Sequence, residues 1–152
     1  MFRLGISSKK NLVGVNFNLV QVVQRAIELT TIDFTVLEGL RTPERQKILF
    51  DEGASKTLNS RHITGHAVDL GAWIDGGVRW DWPLYYKIAQ AMQRASIEAD
   101  IPVVWGGVWD MELAKIDDLD EAVSDYIARR KAIGKKAFID GPHFELSREV
   151  FQ

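Results

Sequence analysis

The amino-acid sequence predicts an α+β fold: a small single domain whose central, mainly antiparallel sheet is flanked by helices. Strand-like and helix-like segments are mixed without a regular βαβ repeat, which disfavours a parallel sheet. Glycine turns such as Asp75-Gly76-Gly77 lie between apolar runs in the manner of hairpins. With 152 residues the chain can bury one substantial core but is too short for two ordinary domains.

After the polar stretch SSKKN, the segment NFNLVQVVQRAIELT sets Leu19, Val22 or Val23, Ala26 and Ile27 at helical spacing. With Asn16 or Asn18 as cap, it predicts a helix from about 16 to 29. DFTVLEGL, 33–40, is rich in β-formers and predicts a strand. RTPERQKILFDEG then offers Thr42 as cap, Pro43 as first helical residue and Gly53 as terminator, predicting a helix over 43–52. ASKTLNS is a polar loop. HAVDLGAW alternates enough for a strand and meets the turn at 75–77, from which VRWDW returns as a short antiparallel partner. From Pro83, the residues Leu84, Ile88, Ala91 or Met92, and Ala95 predict a helix to about Asp100, stopped before Pro102. VVWGGVW is predicted as one strand, with Gly106 and Gly107 marking a bulge or a close backbone approach. DDLDEAVSDYIARRKAIG carries acids in its first turn and bases in its last, the pattern of a helix complementing its macrodipole. KAFIDGPHFELS closes the chain as a strand interrupted by Gly-Pro.

Composition narrows the chemistry. The chain is 46% hydrophobic and 26% charged, as soluble globular proteins are, with no biased tract or internal repeat. Its net charge is -2, and its cations are scattered apart from Arg129-Arg130-Lys131, so no nucleic-acid partner is expected. The absence of cysteine excludes disulfides, thiolate metal clusters and a cysteine nucleophile. Any transition-metal site must use His, Asp and Glu. The N-terminal segment lacks the features of a secretory signal, and no window approaches the roughly 18 apolar residues of a membrane span. The expectation is a chain made in a cytoplasm without a signal peptide or transmembrane segment, reaching any target outside by another agent.

SRHITGHAVDL, 60–70, holds two of the three histidines, His62 and His66; the third is His143, flanked by Asp140 and Glu145. A lone histidine is usually a surface or hydrogen-bonded core residue. Clustering beside Asp69, and the recurrence of acid and histidine in DGPHFEL, argue for a metal. A catalytic zinc site needs three protein ligands and one open position. His62 and His66, four apart, would share one face of a helix as in the helical zinc motif. However, Ile63 stands where that motif has its glutamate, and Thr64-Gly65 does not support a helix. As a strand entered through a turn, the stretch sets Asp69 on one face with Ala67, and His66 and Val68 on the other. The residues alone leave two ligand sets open: His62, His66 and His143, or a set that uses Asp69.

The pattern Ser-x-His-x-x-Gly-x-Ala-x-Asp is met by Ser60, His62, Gly65, Ala67 and Asp69. With GLRTPERQ (Arg41, Gln46), EGASK, VWGGVW and DGPHFEL in order, the chain resembles the zinc peptidases of bacterial cell walls. That family includes D-alanyl-D-alanine carboxypeptidases and phage L-alanyl-D-glutamate endopeptidases. The resemblance spans most of the chain and implies the DD-peptidase/Hedgehog-like zinc peptidase fold, as one catalytic domain over 1–152. It implies one Zn2+ per chain held by His62, Asp69 and His143, with Asp140 as catalytic carboxylate. Two neutral imidazoles and one carboxylate leave zinc enough positive charge to acidify a water. Asp140, which alone would read as a turn aspartate, then takes the water proton and delivers it to the leaving amine. Arg41 of the family's RT element is expected to hold the scissile carbonyl oxygen or a substrate carboxylate. Ser60 is expected to support a ligand or touch substrate, Glu145 to orient a ligand, and Trp105 and Trp109 to line the groove unless they are core. His66 becomes a bystander or a neighbour of the ligands.

Two departures from the family stand out. Val108 follows Gly107 where relatives commonly have a polar residue, and a charged helical segment at about 110–137 is inserted between Trp109 and Asp140. The resulting expectation is a monomeric phage-type endolysin that cuts the peptidoglycan stem peptide, between L-alanine and D-glutamate, with zinc-activated water. It would act on the wall in the periplasm after release from the host cytoplasm. The alternatives are a D-alanyl-D-alanine carboxypeptidase or dipeptidase, and a non-catalytic zinc-stabilised wall-binding module.

Overall fold

The computed structural model describes residues 1–152. Its first helix, α1 (Ile6–Asn11), falls in the polar stretch where the sequence predicts no element. Tertiary contacts hold it: buried Ser8 pairs with the Thr35 hydroxyl at 3.0 Å, and its Oγ accepts from the Val36 N–H at 2.9 Å. Helix α2 (Phe17–Leu29) starts where Asn16 Oδ1 accepts from the Asn18 N–H at 2.9 Å, and it buries the stripe Leu19, Val22, Val23, Ala26 and Ile27.

The strands are β1 (Phe34–Glu38), β2 (Ala67–Ile74), β3 (Gly77–Arg79), β4 (Val103–Trp105), β5 (Val108–Glu112) and β6 (His143–Leu146). Their order is β1-β2-β6-β4-β5, with β3 paired to the far end of β2, and every pairing is antiparallel. Two expectations need correction. VVWGGVW is not one strand but a hairpin, in which β4 turns through Gly106-Gly107 into β5. The last strand begins only after Pro142, because a residue without an N–H cannot extend the ladder there.

Helix α4 (Trp82–Ala99) lies beside α2, and both contribute to the buried core beneath one face of the sheet. Alternation along each strand decides what reaches that core. Val68 and Leu70 of β2, Phe144 and Leu146 of β6, and Val103 and Trp105 of β4 are fully buried. The alternate residues Asp69, His143 and Glu145 emerge on the opposite face. That face is bordered by α3 (Pro43–Asp51), capped by Thr42, whose Oγ1 accepts from the Arg45 N–H at 3.1 Å. The charged segment near 110–137 forms β5, a short 3-10 turn and α5 (Leu119–Ala132). Helix α5 buries Leu119, Val123 and Tyr126 against the domain, and Arg129 clasps Asp110 of β5 at 2.8 and 3.1 Å. No helix is long and apolar enough to cross a membrane.

Candidate active site

Register assembles the centre. Asp69 of β2 lies directly opposite His143 of β6, and Glu38 of β1 lies opposite Asp69 on its other side. Three polar side chains therefore form a row across three strands, where cross-strand neighbours are close enough to interact. His62 joins from the turn preceding β2. The Ser60 hydroxyl accepts from the His62 N–H at 3.2 Å, and the His62 carbonyl accepts from the Arg41 N–H at 2.9 Å. Gly65 completes the turn at φ +76°, and a Cβ there would stand 2.5 Å from the Gly14 carbonyl oxygen.

The hydrogen bonds identify which ring nitrogens face inward. His62 Nδ1–H donates to the Gly39 carbonyl at 2.8 Å, so Nε2 is directed at Asp69 Oδ1, 3.2 Å away. His143 Nε2–H donates to Glu145 at 2.9 Å, so Nδ1 is directed at the same Asp69 oxygen, 3.3 Å away. An outer acceptor fixing the ring of each histidine is the arrangement found around metal-ligating imidazoles. The three inward atoms lie within 4.8 Å of one another, and all are acceptors when the rings are neutral. Such a set needs protons or a cation between its members, so His62, Asp69 and His143 can hold a metal ion.

Charge effects agree. Burial disfavours the Asp69 carboxylate, yet hydrogen bonds from His143 and His62 hold its carboxyl well below the usual range. Burial also disfavours the His143 imidazolium, but Asp69 and Glu145 raise it to about 9 in the absence of a metal. Burial, reinforced by the Asp69 charge, pushes Asp140 above an ordinary aspartate. Its backbone is pinned, with the Asp140 N–H donating to the Gly106 carbonyl at 2.8 Å and the Asp140 carbonyl accepting from the His143 N–H at 3.1 Å. Asp140 and the three metal-binding candidates line one groove of about 390 Å³.

Arg41 lines this groove but is buried, and its fork is largely occupied. Nε and Nη2 donate to Glu38 at 2.6 and 2.8 Å, Nη1 donates to Gln46 at 2.6 Å, and Nη2 faces Asp69 Oδ2 at 3.6 Å. Glu38 thus takes the bidentate grip that the sequence suggests for a substrate carboxylate. Glu145 accepts from His143 Nε2–H, and Ser60 lines the groove while bracing the His62 turn. Trp109 also lines it, its ring 4.9 Å from that of His143. Trp105 is a correction: it is fully buried, stacked between Trp82 and Phe144, and its indole N–H donates to the Gly141 carbonyl at 2.8 Å. It supports the Asp140 loop from beneath and cannot line the groove. His66 stands outside the cluster, bonded to the Thr64 hydroxyl at 2.7 Å.

Two contributors escaped the sequence reading. Glu38 gave no signal beyond being an acid at a strand end, and Gly39 acts through its carbonyl, which residue type does not reveal.

Comparisons with known proteins bear on this geometry. The family model described as phage L-alanyl-D-glutamate peptidase matches residues 1–147. The L-alanyl-D-glutamate peptidase of Escherichia phage T5 is 32% identical over 149 residues, spanning 95% of this chain and 98% of that protein. The crystal structure of the Serratia marcescens L-Ala D-Glu endopeptidase ChiX aligns with a TM-score of 0.76 at 37% identity, covering 99% of this chain and 93% of that one.

Proposed function

Because the chain belongs to the phage L-alanyl-D-glutamate peptidase family, we propose that it is an endolysin-type zinc peptidase cutting the peptidoglycan stem peptide between L-alanine and D-glutamate. The observation that carries this reading is the convergence of His62 Nε2, Asp69 Oδ1 and His143 Nδ1 in a groove that also holds Asp140.

The donor set fits zinc. Two imidazole nitrogens and one carboxylate oxygen are among its usual non-thiolate ligands. His62, Asp69 and His143, whose inward atoms lie within 4.8 Å of one another, would hold the ion. When bound, zinc supplies Lewis acidity that polarises a carbonyl and brings a water toward ionisation at neutral pH.

The remaining work belongs to the chain. Asp140, its carboxyl raised by burial and by Asp69, accepts the proton of the attacking water and passes it to the departing glutamyl amine. Glu145 and the Gly39 carbonyl keep both imidazoles in the tautomer that turns a lone pair inward. Arg41 holds Asp69 through Oδ2. Of its five N–H donors, the second on Nη1 is left to meet the scissile carbonyl oxygen. Trp109 forms an apolar wall beside His143. All these residues come from one chain, so a monomer suffices, and its substrate lies in the wall that it reaches after release from the host cytoplasm.

Digestion of purified sacculi, with the new amino termini identified by mass spectrometry, tests the reading. New D-glutamyl amino termini are expected. Release of free D-alanine alone would replace it with the carboxypeptidase.

A further inference from the structure

We propose that Lys56 forms the subsite for the free carboxylate of the glutamyl residue, making this enzyme a reader of whether that carboxylate is amidated. The proposal rests on the peptidase reading above. In an L-alanyl-D-glutamyl peptide the glutamyl nitrogen becomes the leaving amine, and only one of the two glutamyl carboxyls continues the chain. The other carries a negative charge or, when capped as a carboxamide, none. A groove that cuts this bond must accommodate that group close to the metal centre.

Four cations line the groove: Arg41, Lys56, Arg61 and Arg148. Three are already engaged. Arg41 is clasped by Glu38, Arg61 donates through Nη2 to the Leu146 and Phe151 carbonyls at 3.2 and 2.8 Å, and Arg148 donates to Glu145 at 3.3 Å. The Lys56 ammonium has no acceptor in the protein. It stands over the Phe138 ring, with the nitrogen 5.8 Å from the ring centroid. The four acids of the groove are committed as well, Glu38 to Arg41, Asp69 and Glu145 to His143, and Asp140 to proton transfer. Lys56 is therefore the one cation of the groove that has no hydrogen-bond or ion-pair partner in the protein.

Its position is built rather than incidental. The fully buried Gln46 amide donates to the Ser55 hydroxyl at 2.9 Å and to the Thr57 carbonyl at 2.5 Å, pinning the residues on either side of Lys56. The same Gln46 accepts from Arg41, tying the Lys56 loop to the row containing Asp69. On the other side, the Phe138 carbonyl accepts from the Trp109 indole N–H at 2.7 Å, and Trp109 lies against His143. The ammonium thus stands at one end of a continuous wall, Phe138, Trp109, His143, that leads to the metal-binding atoms.

The test compares two N-acyl L-alanyl-D-glutamyl peptides, identical except that the free carboxyl is a carboxylate in one and a carboxamide in the other. Both are cleaved by zinc-loaded enzyme, and kcat/KM is measured for each. A charge-assisted contact gives a preference for the carboxylate on the order of 10- to 100-fold, expressed mainly in KM. Lys56→Gln is expected to bring the ratio close to one, Lys56→Arg to retain most of it, and Lys135→Gln, a surface cation outside the groove, to leave it unchanged. Equal cleavage of both peptides by the wild type overturns the subsite alone, as does a Lys56→Gln variant that loses the same factor on both. Flattening by Arg148→Gln in place of Lys56→Gln moves the subsite to Arg148 and overturns the assignment. Cleavage of neither peptide by the wild type overturns the peptidase reading and the subsite with it.

Discussion

Asp140 is the residue whose chemistry is most separable from its structure. Its backbone N–H and carbonyl anchor the loop to Gly106 and His143, while its side chain belongs to the groove. Asp140→Asn keeps the size, shape and backbone bonds and removes only the ability to take a proton. It is expected to lower kcat/KM by about 10²- to 10⁴-fold, the usual scale for a lost general base, while zinc content by mass spectrometry remains near one ion per chain. Wild-type turnover in this variant would remove Asp140 from the reaction. Arg41 shows the opposite case: its donors are divided among Glu38, Gln46 and Asp69, so its removal would disturb the row and the groove together.

At the scale of elements, the hairpin of β4 and β5 is hydrogen-bonded to the loop beside it. The Gly106 N–H donates to the His143 carbonyl at 2.8 Å and the Gly106 carbonyl accepts from the Asp140 N–H, so hairpin tip and Asp140 loop are laced together. A Cβ at Gly106 would fall 2.1 Å from the Asp140 carbonyl oxygen, which is backbone and cannot swing aside. Gly106→Ala is expected to cost about 1–3 kcal/mol of stability, as overpacking does, and to lose activity even where the protein stays folded. Gly77→Ala, where a Cβ meets nothing within 4 Å, serves as the neutral comparison in thermal melts and activity assays. An active, fully stable Gly106→Ala would disconnect the hairpin from the site. The sequence allowed a close backbone approach at Gly106-Gly107 but not the hairpin, because VVWGGVW is apolar on both sides and a glycine pair suits a bulge as well as a turn. That turn separates Trp105, sealed in the core, from Trp109 in the groove, two residues that composition cannot distinguish. Helix α1 was illegible for another reason: one isoleucine followed by five polar residues carries no periodicity, and the bonds that Ser8 and Asn11 make to β1 hold the segment in place. The capped helices α2 and α3 were legible within a residue or so, since Asn16, Thr42 and Pro43 state their boundaries chemically.

For the molecule as a whole, the candidate metal site and its surroundings join segments that are remote in sequence: 38–41, 62–69 and 140–145. The histidine spacing in SRHITGHAVDL suggests a local clamp, whereas the site depends on the pairing of β2 with β6, a relation between residues 69 and 143 that no local pattern displays. Because the three inward acceptors converge only in the folded chain, an ion bound there stabilises the native state by mass action. The gain is about 2.7 kcal/mol at a free concentration 100 times Kd and about 4.1 kcal/mol at 1,000 times. For a domain of this size, each kcal/mol moves Tm by roughly 2–4 °C, so zinc added to chelator-stripped protein is expected to raise Tm by roughly 5–15 °C. Calorimetry at fixed protein concentration measures this shift, and two variants locate its origin. Asp69→Ala removes the oxygen faced by both imidazoles and is expected to abolish the shift. His66→Ala lies outside the cluster and is expected to keep it. A shift that survives Asp69→Ala and disappears in His66→Ala would transfer the ion to the three histidines, and with it the centre around which the groove is organised.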